Sequence, residues 1–324
     1  MNKRILITGS SGFIGSFLCD EALHRGYETY AAVRGGSSRR WLQHKDLHFI
    51  TLDFNDSAQM ADAFRHEGVK FDVVVHAGGA TKCLDKDEFM RHNYQSTVNL
   101  VEALVAAGSV PATFVYLSSL SAIYGSAYGE SKLKTEGWLK AHPLFAGKAD
   151  GSACRLFIFR PTGVYGPREK DYYMMARSIG RHVDFAVGFE PQKLTFVYVA
   201  DVVGAVFHAI EGDVAGGTFS LTDGNVYTSH DFSSLIQKEM GVKHVLHITA
   251  PLWFLYVISV VAEAWGKVVH RPSTLNRDKY RIMAQRDWTC DTSPMLDVLG
   301  YTPGWQLERG VKATIEWYKQ NKWL

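Results

Sequence analysis

Residues 5–15 read ILITGSSGFIG, and no other stretch limits the fold so tightly. An apolar run ends at Ile7, glycines fall at 9, 12 and 15, and a helical pattern opens behind them. Each glycine has a task in a strand–loop–helix turn that meets a phosphate. Gly9 permits the tight turn, Gly12 lets the backbone approach a pyrophosphate, and Gly15 lets helix and strand pack closely. The helix N-terminus then offers unpaired N–H groups and a positive dipole end to the anion. A glycine triplet alone is a weak signal. The strand before it and the helix after it supply the context a dinucleotide site requires.

The first half of the chain continues this pattern. Strands are expected at Arg4–Ile7, Thr29–Val33, His48–Leu52, Val73–His76, Thr113–Leu117 and Cys154–Phe159, with helices near 13–25, 57–67, 86–107 and 127–141. Short apolar runs alternating with helices mean βαβ units and a parallel sheet. In the helix at 86–107, Phe89, Val98, Leu100, Val101 and Leu104 form a stripe suited to a sheet face. Beyond Phe159 the regularity loosens into turn chemistry at 160–163 and 166–167. Helices are expected near 171–180, from an N-cap at Asp201, and near 308–320. The expected fold is α/β: a Rossmann-type doubly wound parallel sheet with a smaller C-terminal α/β substrate lobe. Residues 1–169, with contributions from about 195–221, would form the sheet domain, and 170–194 with 222–324 the lobe.

Composition narrows the function classes. A content of 46% hydrophobic and 21% charged residues is ordinary for a soluble globular chain. A net charge of +2 lacks the basic footprint of a nucleic-acid binder. Cys19, Cys83, Cys154 and Cys290 are too scattered for metal-ligand spacing and are expected to be reduced and mostly buried. The start, MNKRILITGS, has too short an apolar run for a secretion signal, so a cytoplasmic location is expected. Residues 252–262, LWFLYVISVVA, are nearly all apolar but too few to span a bilayer. They suit a buried helix, a lid over an apolar site, or a helix dipping into a membrane surface. Ser259, Glu263 and Lys267 make the narrow polar stripe of a mostly buried helix. Trp253, Phe254, Tyr256 and Trp265 could instead seat a lid on a bilayer.

Two groups of residues carry chemistry. The second strand is followed by Arg34, then Arg39 and Arg40, where an acidic residue would bind the ribose hydroxyls of NAD. A guanidinium there can grip a 2′-phosphate, which points to NADP, with NAD as the second choice. Further on, residues 114–136 read FVYLSSLSAIYGSAYGESKLKTE. Tyr128 and Lys132 stand four apart, on one helix face. A neighbouring ammonium lowers a phenol's pKa, so Tyr128 can exchange a proton with a substrate oxygen. A serine hydroxyl at the preceding strand end can orient that oxygen, and Ser118, Ser119 and Ser121 are all candidates.

Together these residues resemble the extended short-chain dehydrogenase/reductase superfamily, the NAD-dependent epimerase/dehydratase group, over nearly the whole chain. TGSSGFIG is similar to its TGxxGxxG loop, which implies cofactor contacts at Gly9, Ser11, Gly12, Phe13, Ile14 and Gly15. Asp53 and Phe54, in TLDF, sit where the family contacts adenine. HAGGAT resembles the stretch beside the cofactor and implies roles for His76, Ala77 and Gly78. Asn93 and Thr97, in HNYQSTVNLVEA, are similar to the family's NVxGTxNLLEA helix, with Asn93 toward the cofactor. Ser118, Ser119, Tyr128 and Lys132 match its Ser and YxxxK elements, with Lys132 also on the nicotinamide ribose. RPTGVYGP resembles a turn that implies contacts from Pro161, Thr162, Gly163 and Val164. FVYVADVV is similar to its HVxDVA segment. The sequence departs from the family in placing Gly78 and Gly79 where small side chains are usual, and in separating Ser119 from Tyr128 by only nine residues.

Within the superfamily the resemblance is closest to the 3β-hydroxysteroid dehydrogenase and dihydroflavonol reductase branch. Epimerases carry Ser or Thr where Leu120 stands, and an arginine for a diphosphate near Lys193, Leu194 and Thr195. The resemblance implies an oxidoreductase with Ser119, Tyr128 and Lys132 as catalytic residues. It would move a hydride between NADP(H) and a ketone or secondary alcohol of an apolar, steroid-, lipid- or phenylpropanoid-like substrate. Two alternatives stay open: a sugar-nucleotide epimerase or dehydratase, and a non-catalytic NADP-binding regulator. The family also implies a homodimer through the helices at 86–107 and 127–141. Peripheral membrane contact is a further expectation. Neither a metal nor a nucleic-acid partner is expected.

Overall fold

The computed structural model describes residues 3–146, 154–269, 273 and 275–324. They form two compact units, one of residues 1–160 and 203–219, the other of 161–202 and 220–324.

The first unit is built on β1 (Arg4–Thr8), α1 (Phe13–His24), β2 (Glu28–Val33), β3 (His48–Thr51), α2 (Ser57–Glu67), β4 (Val73–His76), α3 (Lys86–Phe89), α4 (Ser96–Ala106), β5 (Thr113–Leu117), α5 (Ala127–Ala141) and β6 (Arg155–Pro161). The sheet order is β3-β2-β1-β4-β5-β6, with a further strand, Gly217–Leu221, beside β6. Each pairing from β3 to β6 is parallel. The order in which successive strands are added reverses between β1 and β4, so a crevice opens at their C-terminal ends, where open α/β sheets take their ligands.

Both faces of the sheet are covered, which explains why its strands read as unbroken apolar runs. On one face Leu6, Ile50, Val74, Phe114 and Ile158 pack with Met60 and Phe64 of α2 and Leu100 and Leu104 of α4. On the other lie Leu18 and Ala22 of α1 and, near Tyr27, Phe207, with ring centroids 5.7 Å apart. The helix expected at 86–107 is interrupted: α3 and α4 are joined by a π-helical stretch, Met90–Gln95. Such stretches occur frequently at functional sites.

The second unit contains β7 (Gly163–Tyr165), α6 (Asp171–Gly180), β8 (Val183–Val187) and β9 (Phe196–Tyr198). The next helix, α7 (Val199–Glu211), carries the chain into the first unit, and β10 (Gly217–Leu221) brings it back. Then follow α8 (Ser229–Met240), β11 (Leu246–Ala250), α9 (Leu252–Val268), α10 (Arg277–Ala284) and α11 (Leu307–Gln320). β7 pairs with β9 and β8 with β11, both in parallel. Tyr165, Tyr172, Phe196 and Phe232 form its aromatic centre, with Phe196 and Phe232 centroids 4.7 Å apart.

Three expectations are corrected here. Asp201 is not an N-cap, since α7 begins two residues earlier. Its buried carboxylate instead accepts from the Tyr301 hydroxyl (3.1 Å), the Gly304 amide (2.8 Å) and the Trp305 amide (2.9 Å), tying down the approach to α11. The helix over 252–268 is not mostly buried: only Leu255, Ser259 and Gly266 are. Most of its large apolar residues face outward. The third correction is the break in the 86–107 helix. Of the cysteines, Cys19, Cys83 and Cys154 are buried. No helix among the described residues is long and apolar enough to cross a membrane.

Candidate active site

The glycine loop leaves β1 at the reversal of strand order. Gly9 adopts φ +65°, and a Cβ there would lie 2.6 Å from the Ala77 carbonyl carbon and the Gly78 nitrogen. The two loops at the crevice, 9–15 and 76–79, therefore touch through a position that only glycine fits. Gly12 is the N-cap of α1 and supplies no capping side chain, and no acidic residue stands in the helix's first turn. A positive helix end left without a side-chain cap is suited to an anion such as a pyrophosphate. The Ser10 hydroxyl pins the loop by donating to the Ala32 carbonyl on β2, at 2.8 Å. Ser11, Phe13, Ile14 and Gly15 complete the turn, with Gly15 packed hard on the Gly9 carbonyl.

Arg34 follows β2 directly and is exposed. Arg39 and Arg40 are spent on aromatic rings, Phe49 at 4.2 Å and Trp41 at 4.0 Å, so Arg34 is the member of the trio without a stacked ring beneath it among the described contacts. Asp53 is exposed just beyond β3 and accepts from the Asn55 amide at 3.0 Å. The Phe54 ring stacks near His76 at 6.3 Å.

His76 is locked into the fold by hydrogen bonds at both ends of its ring. It is buried, and both ring nitrogens are engaged inside the fold: Nδ1 with the Thr8 hydroxyl at 2.6 Å, Nε2 with Thr97 at 2.9 Å. Thr97 donates its own proton to the Asn93 carbonyl, so it must accept from Nε2–H, and Nδ1 accepts from Thr8. Burial, aided by the Lys132 charge, holds the imidazole down to about 3, hence neutral. His76 ties β1 to α4.

The three serines after β5 are separated by their partners. The Ser118 hydroxyl is buried and donates to Glu136 at 2.5 Å. Glu136 is itself buried and takes Nε of Arg160 at 2.9 Å. Ser121 is buried in a short 3-10 turn, Leu120–Ile123. Ser119 is partly exposed; its oxygen accepts from the Ser121 amide at 3.1 Å, and it hydrogen-bonds Tyr128. The short interval between them is closed by Gly129, where a Cβ would lie 2.0 Å from the Ser121 carbonyl oxygen. Ser126 caps α5 by accepting from the Gly129 amide at 2.9 Å. Tyr128 thus sits in the first turn of α5, with its ring 5.9 Å from Phe89.

The Tyr128 pKa moves opposite to expectation. Burial of its hydroxyl pushes it up to about 12, and the Ser119 hydrogen bond offsets only part of that. The Lys132 ammonium donates to the Leu117 carbonyl at 2.9 Å and lies 4.8 Å from the Tyr116 ring centre. Burial lowers its pKa to about 8, against the raising effect of Glu136.

Asn93, in the π-helical stretch, links these groups to the segment that follows β4. Its Oδ1 accepts from the Ala80 amide at 2.7 Å, and its Nδ2 donates to the Ala80 carbonyl and to Ser131. The pinned loop brings Gly79 over the lysine: a Cβ on Gly79 would stand 2.9 Å from Asn93 Oδ1 and 3.2 Å from Lys132 Nζ. This explains the second glycine of HAGG. Sequence reasoning missed Glu136, although its place four residues after Lys132 put it on the same helix face.

Pro161, Thr162, Gly163 and Val164 belong to the second unit. There the Thr162 amide donates to the Leu221 carbonyl at 3.1 Å, and Gly163 makes room for the Tyr172 hydroxyl.

Comparison with known proteins bears on this arrangement. The chain is 25% identical to the ceramide reductase of Caulobacter vibrioides, over 99% of this chain and 96% of that one. It is equally 25% identical to the UDP-glucose 4-epimerase of Vibrio cholerae, over 99% and 98%. The crystal structure of WbmG from Bordetella bronchiseptica in complex with NAD superposes with a TM-score of 0.77, at 18% identity, over 100% of this chain and 96% of that one. That likeness establishes the shared fold. The model of the NAD dependent epimerase/dehydratase family matches residues 5–222, which take in the glycine loop, the π-helical stretch and the Ser–Tyr–Lys residues, and the chain belongs to that family.

Proposed function

We propose that the protein is an NADP(H)-dependent reductase of a long-chain keto-lipid, with Tyr128 as proton donor. The observation that carries the reading is the closure of one circuit within the first unit. Gly79 and Ala80, at the end of the 76–79 loop that touches Gly9 and just past it, meet Asn93 and Lys132, and Lys132 shares its helix with a Tyr128 hydrogen-bonded to Ser119.

The cradle fits a dinucleotide. Gly9, Ser11, Gly12, Phe13, Ile14 and Gly15 would hold the pyrophosphate, Arg34 a ribose 2′-phosphate, and Asp53 with Phe54 the adenine end. The bound nicotinamide supplies the hydride chemistry. Ser119 orients the substrate carbonyl. As the ketone carbon gains hydride, the carbonyl oxygen becomes an alkoxide and takes the Tyr128 proton, giving a secondary alcohol and a phenolate that recovers a proton from solvent. A phenol held at about 12 is fully protonated at neutral pH, and an alkoxide is far more basic. The acid form is therefore ready for reduction, whereas oxidation would first require its loss. Lys132, one helical turn further along α5, remains charged below about pH 8 and would bind the nicotinamide ribose.

The ceramide reductase relative supports the choice of substrate class. An NADPH-oxidation screen over long-chain keto-lipids, other apolar ketones and nucleotide sugars tests it. Stoichiometric NADPH loss with a keto-lipid is expected, and loss only with other ketones would reject the lipid assignment. The epimerase relative favours a second reading, in which the cofactor is recycled. Conversion of a nucleotide sugar with no net NADPH consumption would establish it instead.

A further inference from the structure

α9 is amphipathic the wrong way round. Its polar side chains face the protein: Ser259 is fully buried, and Glu263 is held by Arg277 at 2.8 Å and Lys267 at 3.3 Å. Its apolar side chains face outward, with Trp253 68%, Val261 64%, Trp265 67% and Val268 71% exposed. At 100° per residue the outward positions span roughly 220° of the circumference, and Lys267 is the sole charge among them, at one margin. The strand pair that leads into the helix adds Phe185, Leu246 and Ile248, all exposed, with Ile248 opposite Phe185 in the β8–β11 register.

We propose that α9 docks the protein onto the surface of an anionic lipid bilayer, lying in the headgroup plane. A docked protein helix covers one stripe of about 100°, so a second copy would leave most of this surface wet. An interfacial bed can take in a far wider arc, to a depth of about 5–10 Å. The two tryptophans stand twelve residues apart near opposite ends of the helix, as amphipathic ring anchors at the headgroup level do. Charge points the same way. Residues 243–287 carry seven Lys/Arg against three Asp/Glu, or +4, while the whole chain carries +2. That excess attracts anionic headgroups and repels a second copy of itself. At 17 residues the helix lies on a bilayer rather than through it.

The inference stands apart from the proposed reaction, and vesicle binding is read without substrate, so either can fail alone. The full chain is sedimented with phosphatidylglycerol–phosphatidylcholine vesicles and with phosphatidylcholine alone, while tryptophan emission is followed against brominated lipid. Binding should be at least about tenfold stronger to the anionic vesicles, weaken with salt, and come with quenching. Val261→Glu, on an exposed position, should cut it by about tenfold or more while far-UV circular dichroism and NADPH binding stay unchanged. Absence of pelleting with anionic vesicles would overturn the proposal. A dimer that Val261→Glu dissociates would assign the face to a second copy instead.

Discussion

Gly129 is the position where a single methyl group tests the geometry of the site. A Cβ there would stand 2.0 Å from the Ser121 carbonyl oxygen and 2.8 Å from that of Tyr124. Ordinary contact begins near 3.4 Å, so in Gly129→Ala the first turn of α5 must retreat from the 3-10 turn by about 1.4 Å. Tyr128 is the adjacent residue, and its hydrogen bond to Ser119 tolerates only a few tenths of an ångström. A misplacement of about 1 Å at a reacting group costs on the order of 10²-fold in rate. Overpacking of this kind also destabilises by about 1–3 kcal/mol. The glycine loop and Arg34 lie on other elements and should bind dinucleotide as before. The assays are steady-state kcat for NADPH oxidation, the NADPH dissociation constant by fluorescence, and the urea midpoint. A kcat within about threefold of the parent, with an unchanged midpoint, would refute the reasoning, because it would mean that α5 and the 3-10 turn are not in hard contact.

Other substitutions test separate links. Arg34→Ala should weaken NADPH by at least about tenfold and leave NADH nearly unchanged, and equal loss for both would reject a 2′-phosphate grip. Glu136→Gln strips the charge that neutralises the largely buried Arg160 and should cost about 3–5 kcal/mol in urea unfolding, whereas a loss under about 1 kcal/mol would show that the pair is not desolvated. Lys132 titrates at about 8, so kcat/KM should fall about tenfold per pH unit above that value, and a flat profile to pH 10 would contradict a role for its charge. The same residue sets a sign for stability. Its folded pKa lies below the unfolded value of 10.5, so between about pH 8 and 10.5 the folded chain binds fewer protons. The contribution of Lys132 to stability therefore rises with pH across that window.

Much of the first unit was legible in the sequence because its signals are local. β4 and β5 fall on the expected residues, and α5 starts where Ser126 can cap it. The glycine loop stands between β1 and α1, as its spacing and flanking patterns predict. What escaped depends on contacts distant in the chain. Asp201 reads as an N-cap until residues 301–305, a hundred positions on, claim its carboxylate. The π-helical stretch shares its apolar pattern with the helices on either side, so periodicity could not reveal it. Periodicity also gives the axis of amphipathicity in α9 without saying which side meets the protein. For Tyr128, the neighbouring lysine was visible and the burial was not, and burial sets the direction of its pKa. The hydrogen bonds of His76 escaped because its two threonine partners, Thr8 and Thr97, lie 68 and 21 residues away.

The central claim is that the Tyr128 hydroxyl supplies the proton, and Tyr128→Phe removes that oxygen while keeping the ring against Phe89. Single-turnover NADPH oxidation, with the NADPH dissociation constant measured on the same sample, tests it most directly. The rate should drop by about 10²-fold or more with the dissociation constant unchanged within about threefold. A phenylalanine variant that turns over at the parent rate would contradict the account.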